Sequence, residues 1–177
     1  MNYLIIGNGV AGSEAALAIR KSDPEGAITI LTSSPYPYYY RPGVIEYLAN
    51  GITRERLFVY KPDFYEKNRI TALLATTAER ILPDNKIVVD HGGREHSYDR
   101  LLLATGADPF LPSIDGADLP GVFTLRDIED ADRLRDFASG SKRAVVVGGG
   151  LLGLESAHSL ARIGLEVCVV ETCGRLL

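Results

Sequence analysis

Two short stretches, GNGVAGSE at residues 7–14 and GGGLLGLE at residues 148–155, carry glycine and glutamate at the same spacing. Gly7, Gly9 and Gly12 answer to Gly148, Gly150 and Gly153, and Glu14 answers to Glu155, all at one offset. In a turn from strand to helix each glycine has its own job. The first permits the tight turn, the second lets a pyrophosphate approach bare backbone, and the third lets helix pack closely on strand. The helix start then offers unpaired N–H groups and partial positive charge to phosphate oxygens. A single motif of this kind is weak evidence, because Gly-rich turns also arise for structural reasons alone. Two copies, each in the right context, imply two dinucleotides held by one chain.

The context is a strand before each turn and a helix after it. YLIIG (3–7) is a continuous apolar run ending in Gly, as a buried parallel strand requires, and SEAALAIRK has helical spacing. Asp23-Pro24-Glu25-Gly26 breaks the chain before a second strand, AITILT (27–32). AVVVG (144–148), the helix after it and VCVVE (167–171) repeat that order. Strand–turn–helix–strand, twice, predicts an α/β fold of two Rossmann-like units. The second strands differ at their ends. Glu171 stands where a carboxylate accepts hydrogen bonds from an adenosine ribose and repels a 2′-phosphate, which favours NADH over NADPH. The first copy ends instead in Thr32, Ser33 and Ser34, with no acid.

Between the copies, SSPYPYYYRP (33–42) is a Pro/Tyr loop whose prolines forbid regular hydrogen bonding. Residues 44–50 and 62–68 read as short helices. ITALLATTAERI, KIVVD and EHSYD read as a small antiparallel meander, and RLLLATG (100–106) as another buried strand. A Pro-punctuated linker follows over 107–121. RDIEDADRLRDFA (126–138) is an amphipathic helix with Ile128, Ala131, Leu134 and Phe137 on one face and Asp and Arg opposite.

Composition is that of an ordinary globular chain of 177 residues, 46% hydrophobic and 24% charged, with mean hydropathy +0.04. A net charge of −4 gives no electrostatic reason to expect a nucleic acid or an anionic membrane as partner. No apolar run reaches the roughly 20 residues of a spanning helix, and the start lacks a leader pattern, so a cytoplasmic protein is expected. Cys168 and Cys173 fit neither a dithiol motif nor a zinc site, and Cys168 reads as a small core residue. Asp90, His91 and His96 cluster at a Gly-Gly hairpin and read as a solvated turn, with no metal expected. His158 reads as a packed or surface residue of the second glycine-turn helix.

GNGVAG, YDRLLLATGADP (98–109), TLRDIEDADRLR (124–135) and VVVGGGLLGLE occur in an order and spacing that resemble the flavin-dependent pyridine nucleotide-disulphide oxidoreductase superfamily. The loop PYPYYYRPGVIEYLANG (35–51) is similar to that of NADH:rubredoxin reductases and of the flavoprotein part of assimilatory nitrite reductase large subunits. The resemblance implies a three-layer β/β/α first unit that holds FAD and a second that holds NADH. It places Gly7, Gly9, Ala11 and Gly12 on the FAD pyrophosphate, with Thr32, Ser33 or Ser34 where an acid usually meets the ribose. Ala78 would offer backbone to the adenine, while Thr105, Gly106 and Arg126 would close on the FAD. Gly148, Gly150, Leu151, Leu152 and Gly153 would hold NADH together with Glu171. Arg41-Pro42 would lie by the flavin ring, with Arg41 near its N5 and Glu155 beside it as the catalytic pair. A fixed cation there favours the reduced, anionic flavin. The competing reading makes Arg41 a solvated loop cation and Glu155 a first-turn helix acid favoured by the dipole. Tyr36, Tyr38, Tyr39 and Tyr40 either line the flavin edge or pack the loop.

Disulphide reductases of the superfamily carry a redox cysteine after the second strand of the FAD unit, and residues 33–51 contain none. Electrons are therefore expected to pass from flavin directly to an external acceptor, a rubredoxin-like or iron–sulphur protein or domain, or a nitrite reductase metal centre. The alternatives are a non-catalytic FAD/NADH-binding module and a ferredoxin reductase of an oxygenase system. The expected organisation is a first FAD-binding segment over 1–110, a linker and amphipathic helix over 111–140, and the start of an NAD-binding domain over 141–177. That last unit is too short to bury its own strands on both faces. The chain is accordingly expected to be a fragment, inactive alone, with an exposed partial NAD unit through which copies could associate.

Overall fold

The structure is a computed structural model that describes all residues from Met1 to Leu177. The chain forms two compact units, one of residues 1–39 and 58–107 and the other of residues 40–57 and 108–177.

The first unit has three layers. Strands β1 (Asn2–Ile6), β2 (Ala27–Leu31), β3 (Ile70–Leu73) and β7 (Arg100–Leu103) form one parallel sheet in the order β3-β2-β1-β7. Helix α1 (Val10–Ser22) covers one face, and Ala16 packs there with Ile5, Ile28, Ile30 and Ile70. An antiparallel meander of β4 (Ala78–Leu82), β5 (Ile87–Asp90) and β6 (Glu95–Ser97) covers the other, where Val88 packs on Leu4 and Leu31. Burial on both faces explains why β1 and β2 read as apolar runs, whereas β7, expected to be buried, leaves Leu102 and Leu103 exposed.

Two further expectations change here. ITALLATTAERI is not one meander strand. Its first part pairs with β2 from Ile28↔Ile70 to Leu31↔Leu73, and Ala75, at φ +48°, turns the chain before β4. Nor is the Asp90 hairpin solvated. Asp90 and His96 are nearly buried, and His96 Nε2 lies 2.8 Å from Asp90 Oδ2. The other oxygen, Oδ1, accepts from the N–H groups of Gly92 (2.9 Å) and Arg94 (3.0 Å). The His96 hydrogen bond, ahead of these amides, holds the carboxyl below its ordinary range against the cost of burial. His91 is exposed, and no group of side chains here is arranged to hold a metal ion.

The second unit contains α2 (Gly43–Leu48), a 3-10 turn (Arg54–Leu57) and α4 (Ile128–Ala138), with β8 (Arg143–Val147), α5 (Leu151–Arg162) and β9 (Glu166–Val170). Short helix α3 (Phe64–Lys67) belongs to the first. The polar side of α4 is not simply solvated. Asp132 accepts from Tyr47 Oη (2.7 Å), from Arg135 (2.8 Å) and from Arg54, which ties α4 to α2 and the 3-10 turn. Ile128 and Ala131 are buried as expected, whereas Phe137 is half exposed, lying over Gly121 and edge-on to Phe123.

Strands β8 and β9 pair in parallel, and α5 packs on them with Ala157 and Leu160 buried. With only one face covered, Val145 and Val147 are each 64% exposed. Cys168 is exposed too, not a core residue, because it alternates onto the open face. Cys173 is a free, exposed thiol, and His158 is exposed on α5. No helix is long and apolar enough to cross a membrane.

Arg20 clamps the C-terminal end of α1. Its guanidinium donates to the carbonyls of Asn68, Asp23, Pro24, Gly26 and Arg69 at 2.7–3.1 Å, joining the entries to β2 and β3. An ammonium cannot reproduce this planar fork. Arg20→Lys is predicted to lower stability by about 1.5–3 kcal/mol, the range for hydrogen bonds to a charged group, in equilibrium urea unfolding. An unshifted midpoint would count against the clamp.

Candidate functional site

Both glycine turns are built around one steric contact. A Cβ on Gly12 would lie 1.9 Å from the Gly7 carbonyl oxygen, and one on Gly153 would lie 2.0 Å from that of Gly148. Helix and strand end therefore touch backbone to backbone. Gly7 and Gly148 hold φ at +111° and +112°, the left-handed side that glycine adopts freely. Gly7 is further confined by β7, since its Cβ would sit 2.1 Å from the Ala104 oxygen. Gly148 has no such neighbour. At Gly9 a Cβ would meet nothing within 4 Å, and at Gly150 only Leu177 Cδ1 at 3.6 Å. The middle glycine of each turn is thus required neither by packing nor by a positive φ. It leaves a backbone-lined cradle open.

The helix starts complete the cradle. Neither α1 nor α5 has a side-chain cap at its N-cap residue, Gly9 or Gly150, or an acid in its first turn. The contrast within the same chain is α4, where Asp127 and Asp130 form a full capping box and acids fill the first turn. Two helices are left with bare N–H groups and favourable potential for an anion. Val10, Leu151 and Leu152 are 62%, 66% and 68% exposed there, and Ala11 is exposed as well. The residues present therefore fit the phosphates of a dinucleotide at each turn.

In the first unit Gly7, Gly9, Ala11, Gly12, Thr32, Ser33, Ser34, Thr105 and Gly106 all follow the C-terminal ends of β1, β2 and β7, the edge where open α/β sheets bind ligands. Thr32 Oγ1 accepts from Ser34 N–H (3.3 Å), and Ser34 Oγ accepts from Tyr36 N–H (3.2 Å). Those two hydroxyls brace their own loop, whereas Ser33 is exposed. Ala78 opens β4, paired with Asp90. The Tyr residues differ in setting: Tyr39 is buried, Tyr36 packs on Tyr39 and Phe58, Tyr38 packs on Tyr60, and Tyr40 is 55% exposed.

In the second unit Glu171 sits directly on the turn. Its Oε2 accepts from Gly149 N–H at 2.6 Å, and Oε1 accepts from Cys173 N–H at 2.9 Å and Thr172 Oγ1 at 3.1 Å. These bonds, the Cys173 and Gly149 amides foremost, pull its carboxyl down to about 2. Leu176 and Leu177 lie against the same turn, with Leu177 N–H on the Gly149 carbonyl at 3.2 Å. Arg41 and Pro42 are exposed, and Arg41 Nη1 donates to the Arg126 carbonyl (3.4 Å), bringing these two sequence candidates together. Glu155 is exposed beyond the first turn of α5, so the field at the helix end does not account for it.

All 177 residues match the family described as pyridine nucleotide-disulphide oxidoreductase. The chain belongs to that family. Among relatives of this oxidoreductase-family chain, the epsilon subunit of the NADH-dependent phenylglyoxylate dehydrogenase of Aromatoleum evansii is 37% identical over 98% of the chain and 41% of the relative. A rubredoxin-NAD(+) reductase of Pseudomonas putida is 36% identical over 100% of the chain and 46% of the relative. Among solved structures, NADH:rubredoxin oxidoreductase from Clostridium acetobutylicum superposes with a TM-score of 0.88 at 30% identity, over 99% of this chain and 46% of that one. The chain thus spans less than half the length of these family members.

One group of buried polar residues behind the first turn escaped the sequence reading. Asn8, between Gly7 and Gly9, is buried and bonded to Tyr65. The available signal was a carboxamide inside a turn otherwise made of glycine and small apolar residues.

Two outcomes are expected. Gly12→Ala forces Cβ into the Gly7 carbonyl and is predicted to cost about 1–3 kcal/mol or more in thermal or urea unfolding. The depressed Glu171 carboxyl stabilises the fold fully above its ordinary 4.5, and that contribution is lost as pH falls through about 2. An NMR titration of the side-chain carboxyl should show the low midpoint, and Glu171→Gln should flatten the stability profile across that window.

Proposed function

We propose that the chain is the nucleotide-gripping portion of an NADH-dependent FAD oxidoreductase that passes electrons to an external acceptor. The observation that carries this is the pair of open, uncapped glycine cradles on separate strand–helix units. The first turn takes the FAD pyrophosphate, with Ser33 the exposed hydroxyl for its ribose. Thr105 and Gly106 close from β7, and Ala78 offers backbone to the adenine. The second takes NADH on Gly148, Gly150, Leu151, Leu152 and Gly153. Glu171, ionised and oriented by three donors, keeps acceptor capacity for ribose hydroxyls and repels a 2′-phosphate.

FAD supplies a ring that takes a hydride from the nicotinamide and releases the electrons onward. In this reading Arg41 places a fixed cation by that ring, Arg126 supports it through its carbonyl, and Glu155 orients the arrangement. With no cysteine in residues 33–51, the acceptor takes electrons without an enzyme thiol. A rubredoxin-like acceptor agrees with the names of the family members above.

Gly9→Ala tests the first cradle. Its Cβ enters open space, so the melting temperature should stay within about 2 °C while FAD binding falls tenfold or more, read by flavin fluorescence titration. Unchanged FAD affinity would remove the first turn from the site. Glu171→Ala should narrow the preference for NADH over NADPH by about tenfold in paired binding titrations, and an unaltered ratio would exclude Glu171 as the discriminator.

A further inference from the structure

The two glycine turns are held in place by different devices. At the second, the residue after the first glycine is Gly149, whose N–H is taken by the Glu171 carboxylate. At the first, the corresponding residue is Asn8, 8% exposed, and the support comes from within the unit. Asn8 Nδ2 donates to Tyr65 Oη at 2.8 Å, and Asn8 Oδ1 accepts from Ser13 Oγ of α1 at 3.3 Å. Tyr65 Oη also accepts the main-chain N–H of Tyr38 at 3.1 Å. One phenol therefore joins the turn, helix α3 and the Pro/Tyr loop.

The phenol is itself fixed by aromatic packing. The Tyr65 ring stands edge-on to Phe64 (5.2 Å, 82°), and Phe64 stacks flat on Tyr60 (3.6 Å, 5°). Tyr60 reaches Tyr38 and donates to Glu14 of α1 at 3.1 Å. Burial, followed by the Glu14 contact, pushes the Tyr60 hydroxyl up to about 12, which keeps it a neutral donor. Both helix α1 and the turn that precedes it are thus tied to one aromatic stack.

We propose that Tyr65 is a positioning residue for the first dinucleotide site: through Asn8 its hydroxyl holds the Gly7–Gly9 backbone in the geometry that receives the FAD pyrophosphate. This rests on the reading of the first turn as the FAD site. Removing the hydroxyl takes away the phenol oxygen that the Asn8 amide and the Tyr38 N–H share behind the turn, while the ring contacts persist. The second turn has no phenol behind it and serves as an internal control.

The experiment titrates FAD and, separately, NADH into the wild-type chain, Tyr65→Phe, Asn8→Ala and the double variant, with circular dichroism confirming that each folds. Tyr65→Phe should weaken FAD by about tenfold and leave NADH within about twofold. The double variant should bind FAD no worse than Asn8→Ala alone, because both changes cut one linkage. FAD affinity unchanged in Tyr65→Phe, equal weakening of FAD and NADH, or additive losses in the double variant would each overturn the proposal. If Tyr65→Phe does not fold, the Asn8→Ala arm decides by the same selectivity for FAD over NADH. A wild-type chain that binds NADH but no FAD would instead overturn the reading of the first turn, and this proposal with it.

Discussion

The contact on which both units depend is that of a helix start against the carbonyl of the strand end it follows. Gly12 over Gly7 and Gly153 over Gly148 leave no room for a methyl group, so the helix axis is set at one distance and angle from its strand. That approach aims the first-turn N–H groups of α1 and α5 over the end of the sheet. It also places the next strand's end, Thr32 in one case and Glu171 in the other, beside the same turn. The α4 helix shows the other outcome. Free of such a turn, it satisfies its own N-terminus with Asp127 and Asp130. Of the three long helices, the two with bare starts follow glycine cradles and the capped one does not.

Around this shared contact the two units use unlike supports. In the first, β7 presses Ala104 on Gly7, β3 extends the sheet beyond β2, and an aromatic layer stands behind the turn. The first turn is thus supported by packing, with no charged side chain at the end of β2. In the second, two strands and one helix provide less packing, and a carboxylate bonded to main-chain amides takes up the role. The Glu171 end of β9 thus carries a negative charge that the Thr32–Ser34 hydroxyls at the end of β2 lack.

Much of this was legible beforehand because its causes are local. Unbroken apolar runs mark the strands, helical spacing marks α1, α4 and α5, and the glycine spacing marks the turns. The misreadings share a different cause. ITAL reads as part of the meander because a short apolar run does not state which strand it will pair with, and β2 is the strand it pairs with. Cys168 was placed in a core because alternation says that one face is buried, not that the other is covered. Asp90 and His96 read as turn residues, yet folding pairs them below the surface. The amphipathic pattern of α4 sets Asp and Arg opposite its apolar face without naming their partners, and α2 supplies Tyr47 and the 3-10 turn supplies Arg54 to meet Asp132. For ITAL and for Asp132 the deciding partner lies far along the chain.

The sequence by itself determined the repeated strand–turn–helix–strand plan, the glycines that only a close backbone approach requires, and the acid present at the end of one second strand and missing from the other. These are properties of residue type at fixed spacing, where sterics and charge act over a few residues. Only the tertiary structure decided which cradle positions stand open, that neither glycine-turn helix is capped, and that Asn8 is braced by a phenol 57 residues away. Those outcomes depend on which distant groups the packed layers bring within hydrogen-bond reach, and spacing along the chain does not encode that distance.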